Sequence, residues 1–322
     1  MPPPSVRVVV VTWQGAHLLP SCLESLRAQT VHALEIVVVD NASTDGTQAL
    51  LAARFPDVRV IRSQRNLGFA GGVALGMEGF PGDYVVLLNN DATFAPDAVE
   101  QLLRVAEQPE ARDIAAVTAK ILLAGPDGAP EHPGRVNSTG NTVRCNGSGA
   151  DRDWLAAEGT ESTDLDVFGF CGGAALLRAK ALRQVGGFDP SLFLYYEDTD
   201  LSWRMRAAGW GVRYAPEAVA AHRHASSTGV NSPTFRYYNT RNSLIVFTRH
   251  APVAVVLTSV TRQCLGLLRS ALRSGPLAPT TRARARALRD WARRLPTTLR
   301  ERRSLWASAR VSRTQVARYL ST

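Results

Sequence analysis

In the first third of the chain, short apolar runs alternate with helical stretches, and this pattern constrains the fold more than any other feature. The stretches between the runs, such as 16–29 and 46–54, have helical character. The runs have the length of buried strands and lie at 6–12, 34–40, 58–61, 83–89 and 114–119. Strands that alternate with helices predict a parallel sheet with right-handed crossovers. This part of the chain is therefore predicted to be α/β.

The chain changes character after residue 120. Residues 120–165 are rich in Gly, Pro, Asn and Asp, which predicts hairpins and loops inserted after the sheet. A strand is expected again at 212–214 and a helix at 235–249.

Composition limits the class of protein. Of 322 residues, 45% are hydrophobic, which supports a sizeable core and argues against global disorder. The four cysteines are scattered without a CxxC pair, so we expect neither a zinc site nor a disulfide framework, and we infer a reducing cytoplasm. We also expect no signal peptide and no membrane span, because the N-terminus lacks the signal pattern and no run of about 18 apolar residues occurs.

Positive charge is concentrated at the C-terminal end. The chain carries a net +9, but from Arg262 onward fifteen arginines accompany only two acidic residues, a net +13 that leaves −4 elsewhere. With Trp291, Trp306 and aliphatic residues among them, these arginines predict a basic amphipathic helical extension over 251–322 that binds an anionic membrane surface. The alternative is an extension that packs on the body or forms a homo-oligomer. No nucleic-acid partner is expected, because no recognised binding motif accompanies the charge.

Polar residues follow several of the predicted strands. In an open parallel sheet the carboxyl ends of the strands share one edge, where ligands bind. Each residue alone is compatible with a plain turn or a helix entry, but their common edge favours one ligand site. They are Thr12, Asp40, Asn41, Ser43, Asn66, Gly68, Asn89 and Asn90.

Asp91 directly follows the apolar run YVVLL. A carboxylate there is costly unless it is paired or bound to a metal, and a hard divalent cation prefers oxygen ligands that it shares with substrate phosphates. The segment RNLGFAGG is neither a GxGxxG motif nor a P-loop, which argues against dinucleotide and Walker-type sites. The sequence favours a metal–diphosphate complex at this edge.

The stretch LYYEDTDLSWRMRAAGW, residues 194–210, places Glu197, Asp198 and Asp200 at the start of a helix that then becomes basic. A structural interpretation is sufficient for this stretch alone. Acidic residues in the first turn complement the helix dipole, and Arg204 lies one turn after Asp200 and two turns after Glu197, its candidate ion-pair partners. The competing interpretation is a catalytic cluster.

Six segments in order carry a family resemblance. They are VVVVTWQGAHLLPSCLESLRAQT, EIVVVDNASTDGT, RNLGFAGG, VLLNNDAT, GGFDPSLFLYYEDTDLSWRMRAAGW and AHRHASST, which span about residues 5–250. The chain resembles the inverting family 2 glycosyltransferases with a GT-A fold, and within them the bacterial rhamnosyl- and galactofuranosyltransferase-like enzymes. Each segment is weak alone, but the six together in order are specific.

The resemblance implies roles for the donor residues. Asp40 matches the position that binds the nucleotide base, and Thr12 lies at the neighbouring strand end. Asn66 and Gly68 match the stretch near the ribose and the donor sugar.

The resemblance also implies a divalent cation, Mn²⁺ or Mg²⁺. Asn89, Asn90 and Asp91 match the DxD-type element, with Asp91 as the metal ligand. The two asparagines lower the negative charge there, so metal affinity depends more on the donor diphosphate. His222 matches the family histidine that joins the metal, and His224 is the alternative.

The resemblance places the acceptor site at the acidic stretch 194–210. Asp198 matches the catalytic base that takes the proton of the acceptor hydroxyl in an inverting transfer. Glu197 and Asp200 are expected to shape the acceptor pocket, Trp203 to offer an apolar face to a sugar ring, and Arg204 to orient the acidic cluster.

The implied protein is a hexosyltransferase that uses a dTDP- or UDP-linked sugar and a lipid-linked or glycan acceptor, peripheral on the inner face of the cell membrane. A GT-A catalytic domain is expected over 1–250, with a nucleotide-binding half at 1–119 and an acceptor half at 120–250, followed by the 251–322 extension. Two other functions compete: a catalytically inactive sugar-nucleotide-binding protein, and a nucleotidyltransferase on a similar sheet.

Overall fold

The protein is described by a computed structural model that covers residues 3–125, 134–223 and 232–321. Its strands are β1 (Val6–Thr12), β2 (Leu34–Asp40), β3 (Arg59–Arg62), β4 (Tyr84–Leu88), β5 (Ala92–Phe94), β6 (Ile114–Leu123), β7 (Val136–Ser138), β8 (Asn141–Arg144), β9 (Gly149–Asp151), β10 (Ala174–Arg178), β11 (Gly211–His222) and β12 (Leu320–Ser321). Its helices are α1 (Leu19–Arg27), α2 (Thr47–Arg54), α3 (Gly68–Met77), α4 (Ala98–Ala106), α5 (Ala179–Val185), α6 (Glu197–Ala207), α7 (Pro233–His250), α8 (Val253–Ser274), α9 (Pro279–Ala307) and α10 (Arg313–Val316).

The central sheet has the order β3-β2-β1-β4-β10-β6-β11-β5. Its first four strands are parallel, as the alternation predicts. Beyond β4 the sheet becomes mixed, because β10 enters antiparallel between β4 and β6, while β6 and β11 pair in parallel. The loop-rich insertion supplies β7, β8 and β9, and β12 from the end of the chain pairs with β8. The predicted α/β class with a helical C-terminal region is confirmed.

Successive side chains of β1 point to opposite faces of the sheet, and both faces are buried. Val8 and Val10 pack with Leu23 of α1 in one core, whereas Val9 packs with Val73 of α3 in another. A parallel sheet covered by helices on both faces requires such continuous apolar strands.

A third core joins the body to the C-terminal helices. It contains Trp203 of α6, Phe247 of α7 and Val316 of α10, with Trp291 and Trp306 of α9 packed against it. Both α9 indoles donate hydrogen bonds to α7, one to the hydroxyl of Thr248 at 3.2 Å and one to the carbonyl of Arg249 at 3.1 Å. The two tryptophans that the sequence assigned to a membrane surface therefore serve intramolecular packing. Among the described residues, none of the helices has the length and apolar character needed to cross a membrane.

Candidate active site

A cavity of about 1320 Å³ opens at the carboxyl ends of β1, β2 and β4. Much of the polar edge predicted from the sequence lines it. These lining residues are Asn41, Asn66, Gly68, Asn89, Asn90, Asp91 and His222. The topology thus brings residues far apart in the chain to one wall, because parallel strands end at the same edge.

Thr12, Asp40 and Ser43 lie behind this wall and are buried. The Thr12 hydroxyl accepts a hydrogen bond from the Asn90 amide at 2.9 Å, so its contact is with the wall itself. The Ser43 backbone N–H donates to Asp40 Oδ1 at 2.9 Å. These bonds fix the loops that follow β1 and β2.

The second carboxylate oxygen of Asp40 is buried without a hydrogen-bond donor among the described residues. The guanidinium of Arg62 forms a long ion pair with it, with Nε 3.9 Å from Oδ2. Buried acceptors are nearly always satisfied, so an orphaned one indicates a missing donor.

Gly68 begins α3 in a left-handed conformation, with φ of 69°. The side chain of Asn66 accepts a hydrogen bond from its N–H at 2.8 Å, and the Asn41 amide donates to its carbonyl at 3.0 Å. Any side chain at this position would collide with the carbonyl of Phe193. The glycine therefore lets the loop before α6 approach the start of α3 closely.

Asp91 and His222 form a close pair in the cavity. Pairing of β11 with β5 brings them together, and His222 Nε2 lies 3.0 Å from Asp91 Oδ1. The other ring nitrogen, Nδ1, lies 2.6 Å from the side-chain oxygen of Asn137. Asn137 accepts a hydrogen bond only if Nδ1 carries the proton, which leaves the lone pair of a neutral ring on Nε2.

This pair suits two neighbouring ligand positions of one metal ion. Ligands at right angles, each about 2.1 Å from the ion, lie about 3.0 Å apart. In the described part of the chain no group of three or more His, Cys, Asp or Glu side chains converges in this way. Substrate phosphates and water would supply the remaining ligands, because the two residues before Asp91 are asparagines and not carboxylates. His224, the alternative ligand, lies outside the described residues.

Asp198 lies in the first turn of α6 and is partly exposed. Its Oδ2 accepts a hydrogen bond from the backbone N–H of Gly172 at 3.1 Å. Its Oδ1 accepts from the N–H of Thr199 at 2.6 Å. These bonds fix the orientation of the carboxylate, which is partly exposed but is not among the residues that line the cavity.

The loop before α6 contains three residues in the left-handed conformation, Phe193, Tyr195 and Tyr196. Such backbone is costly for residues other than glycine and persists only where other contacts hold it. The amide of Asn242 on α7 donates to the carbonyls of Leu192, at 2.7 Å, and of Leu194 and Tyr195, both at 2.8 Å. α7 thereby determines where the acidic first turn of α6 begins.

Glu197 points into the protein and does not reach the cavity. It is 6% exposed, and its Oε2 has no hydrogen-bond donor among the described residues. Burial, and then the charge of Asp198, raises the pKa of Glu197 well above its usual range. Because Glu197 is buried and does not line the cavity, the expectation that it shapes the acceptor pocket is not met.

Asp200 has a structural role, of which the sequence analysis anticipated only the pairing with Arg204. It is 1% exposed and accepts hydrogen bonds from Arg204 at 2.9 Å, from Arg249 at 3.0 Å and from His250 at 2.9 Å. Burial alone would raise the pKa of Asp200, but Arg204, the His250 bond and Arg249 hold it well below its usual range. Placing Asp200 in the acceptor pocket was wrong, because successive residues of a helix turn by about 100° and Asp200 faces away from Asp198. The pairing of Asp200 with Arg204 is confirmed.

Trp203 is also a core residue. It is 1% exposed, contacts Phe168 and Phe247 edge-on at centroid distances of 5.2 and 5.4 Å, and stacks on His250 at 5.4 Å. The prediction that its ring meets a sugar is therefore wrong. Other aromatic rings face the cavity instead, notably Phe193 stacked on Tyr238 at 4.8 Å.

The structure adds residues that the sequence analysis missed. Asn137 and Asp151 come from the loop-rich insertion, where no periodic pattern marks individual positions. Loss of solvation raises the pKa of Asp151 to about 6, with the charge of Asp198 acting in the same direction. α9 contributes Arg282, Arg286 and Arg289 to the cavity, and their spacing marks one helix face without indicating what that face meets.

Solved structures with similar architecture define the class. The mannosyltransferase PcManGT from Pyrobaculum calidifontis, solved with GDP-Man and Mn²⁺, matches with a TM-score of 0.55 at 19% identity over 94% of this chain and 85% of its own. Residues 1–349 of S. aureus TarS, solved with UDP, match with a TM-score of 0.53 at 16% identity over 94% of this chain and 90% of that one. The protein has the GT-A glycosyltransferase fold.

Sequence comparison identifies the family. The Glycosyl transferase family 2 model matches residues 7–186, more than half of the chain. N-acetylglucosaminyl-diphospho-decaprenol L-rhamnosyltransferase of Mycobacterium tuberculosis is 33% identical over 243 residues, which are 69% of this chain and 77% of the relative. Succinoglycan biosynthesis protein ExoO of Rhizobium meliloti is 36% identical over 106 residues, 32% of this chain and 30% of the relative. The chain belongs to glycosyl transferase family 2.

Proposed function

We propose that the protein is an inverting glycosyltransferase that moves a rhamnose- or galactofuranose-like sugar from a dTDP- or UDP-linked donor to a lipid-linked or polysaccharide acceptor in cell-surface glycan assembly. The observation that carries this proposal is the common cavity edge at which Asp91 and His222 pair beside the donor-side asparagines. The mycobacterial relative is an N-acetylglucosaminyl-diphospho-decaprenol L-rhamnosyltransferase, which supports the sugar and the lipid-linked acceptor.

The donor half of the cavity suits a nucleotide-diphosphate sugar. Asp40, which is buried directly behind the cavity wall, is assigned to the nucleobase, and Asn41, Asn66 and Gly68 offer polar groups and close backbone approach to the ribose and sugar. Asp91 and His222 would hold Mn²⁺ or Mg²⁺, which when bound neutralises charge on the departing diphosphate.

Asp198 is assigned as the general base. In an inverting transfer the acceptor hydroxyl attacks in line, so one carboxylate must take its proton as the new bond forms. Of the three carboxylates in the first turn of α6, Asp198 alone is partly exposed, because Glu197 is buried and Asp200 is paired with two arginines. The bonds from Gly172 and Thr199 keep it oriented for this task.

The proposed place is the inner face of the cell membrane, with α8 as the contact surface. Val253, Leu257, Leu268 and Leu272 are exposed and share one face of α8, because their spacing follows the helical repeat. The arginines of α8 and α9 follow these residues closely in the sequence. Each arginine near the membrane would contribute about 1 kcal/mol of attraction to anionic headgroups. This surface replaces the α9 tryptophans as the apolar part of the proposed contact.

A product assay tests the proposed function. The purified protein is incubated with a panel of nucleotide sugars, a soluble acceptor mimic and Mn²⁺ or Mg²⁺, and the nucleotide products are separated. Transfer predicts consumption of one donor with release of a nucleoside diphosphate. Release of pyrophosphate would indicate a nucleotidyltransferase, and donor binding without any product would indicate an inactive sugar-nucleotide-binding protein.

A further inference from the structure

The cavity has a second charged wall that the donor site does not use. At about 1320 Å³ it exceeds the roughly 300–1,000 Å³ typical of a site for one small ligand. Arg282, Arg286 and Arg289 line it from α9. Their i, i+4, i+7 spacing places them on one face of that helix.

These arginines carry more positive charge than their surroundings neutralise. Asp290 Oδ2 lies 3.5 Å from Arg286 Nε, and Asp290 Oδ1 lies 3.2 Å from Arg289 Nε. The same carboxylate also accepts a hydrogen bond from the Tyr237 hydroxyl at 2.9 Å, so it is shared. Within the described ranges, the side chain of Arg282 has neither an ion pair nor a hydrogen bond.

The chemistry of this wall fits a diphosphate group better than a sugar. Guanidinium groups bind phosphate oxygens with two parallel hydrogen bonds and stay charged at any physiological pH. The donor diphosphate belongs at the other wall, beside the Asp91–His222 pair. Phe193 stacked on Tyr238 lines the same cavity and offers apolar faces next to the arginines.

We propose that Arg282, Arg286 and Arg289 form a subsite for the diphosphate of a lipid-diphosphate-linked acceptor, which holds the acceptor sugar in the cavity that contains the donor. This inference rests on the proposed function and names the feature of the acceptor that the enzyme recognises. It also gives α9 a role in substrate binding instead of membrane attachment alone.

A binding experiment tests the subsite without turnover. Geranyl diphosphate is titrated into protein saturated with UDP or dTDP and Mn²⁺, and its affinity is measured by calorimetry at fixed salt. The variant R282Q/R286Q/R289Q should bind geranyl diphosphate at least tenfold more weakly. The variant R293Q/R300Q/R303Q is the matched control, because it removes three exposed α9 arginines that do not line the cavity, and its affinity should stay within twofold of wild type.

Four binding results would overturn the proposal. The first is equal weakening of geranyl diphosphate binding in both triple variants, and the second is competition between geranyl diphosphate and the nucleotide. The third is binding of inorganic pyrophosphate to wild type as tightly as geranyl diphosphate. The fourth is that R282Q/R286Q/R289Q no longer binds phosphatidylglycerol vesicles but keeps its affinity for geranyl diphosphate. The third result would indicate a general anion site, and the fourth would assign the arginines to a membrane surface.

Kinetics separates this proposal from the proposed function. With an acceptor sugar on a short prenyl diphosphate, the cavity variant should raise the acceptor KM at least tenfold and leave the donor KM within twofold. With the same sugar on an uncharged alkyl chain, the variant and wild type should be equal. A raised donor KM would assign the arginines to the donor instead. If wild type transferred sugar to neither acceptor, the proposed function would be wrong, and the binding result would still decide whether the subsite exists.

Discussion

Replacing Asp200 with Asn should destabilise the protein strongly and leave its chemistry intact. Asp200 is buried and accepts bonds from two arginines, and the side chain of Arg249 is only 5% exposed. Removing one partner of a buried ion pair typically costs about 3–5 kcal/mol. The unfolding entropy is about 2.1 cal/mol/K per residue, and the chain has 322 residues. Dividing the lost stability by the total unfolding entropy gives a fall in Tm of about 4–7 °C.

The assay pairs thermal unfolding with turnover per folded molecule. D164N is a suitable control, because Asp164 is an exposed carboxylate, and its substitution should change stability by less than about 0.5 kcal/mol. D200N should keep its kcat and acceptor KM within a fewfold of wild type at temperatures where it is folded. An unchanged Tm with a large loss of kcat would refute the structural role and return Asp200 to the acceptor site.

The pH dependence of the Tm difference between wild type and D200N is a second check. The pKa of Asp200 is lowered in the folded state, so the stability it contributes is present above its unfolded pKa of about 3.9 and is lost as the pH falls below that value. The Tm difference between wild type and D200N should thus be constant near neutral pH and shrink below about pH 4. A difference that instead disappeared near pH 6 would point to another group.

Three further results are expected. D198N should bind the donor as wild type does and lose about 10²–10⁴-fold in turnover, as expected for a lost general base; near-normal turnover would assign that role elsewhere. D91A should lose metal-dependent donor binding in calorimetry, and a chelator should abolish transfer by wild type; equal donor affinity with and without metal would contradict a shared ion. L257S/L268S/L272S should bind anionic vesicles more weakly than wild type while a soluble acceptor is still used; a change in oligomeric state instead would show that α8 contacts a second copy.

The alternation of apolar runs made the parallel half of the sheet predictable, because periodicity and strand ends are local properties. The insertion of β10 between β4 and β6 was not predictable in this way, since it depends on pairing between segments far apart in the chain. Asp91 was singled out by its place after an apolar strand and His222 by the resemblance, and their pairing required the β5–β11 register.

The acidic first turn of α6 shows a second reason why the sequence alone could not define the site. Composition indicates a cluster of carboxylates, but only the orientation of the helix separates the partly exposed Asp198 from the buried Glu197 and Asp200. Trp203 was misassigned for the same reason. The role of the α9 arginines was not predictable either, because an amphipathic basic helix has the same sequence pattern whether its basic face contacts lipid or lines a cavity.

The cavity combines two stretches of chain that could diversify separately. The family model ends at residue 186, whereas α9 supplies the arginine wall more than ninety positions later. Exchange of the C-terminal helices between relatives would therefore change acceptor choice and preserve donor chemistry. The crossover has to fall after α7, because Asn242 positions the turn before α6 and Arg249 neutralises Asp200. Any incoming α9 would also need a carboxylate in the place of Glu301, which lies 2.8 Å from Arg249.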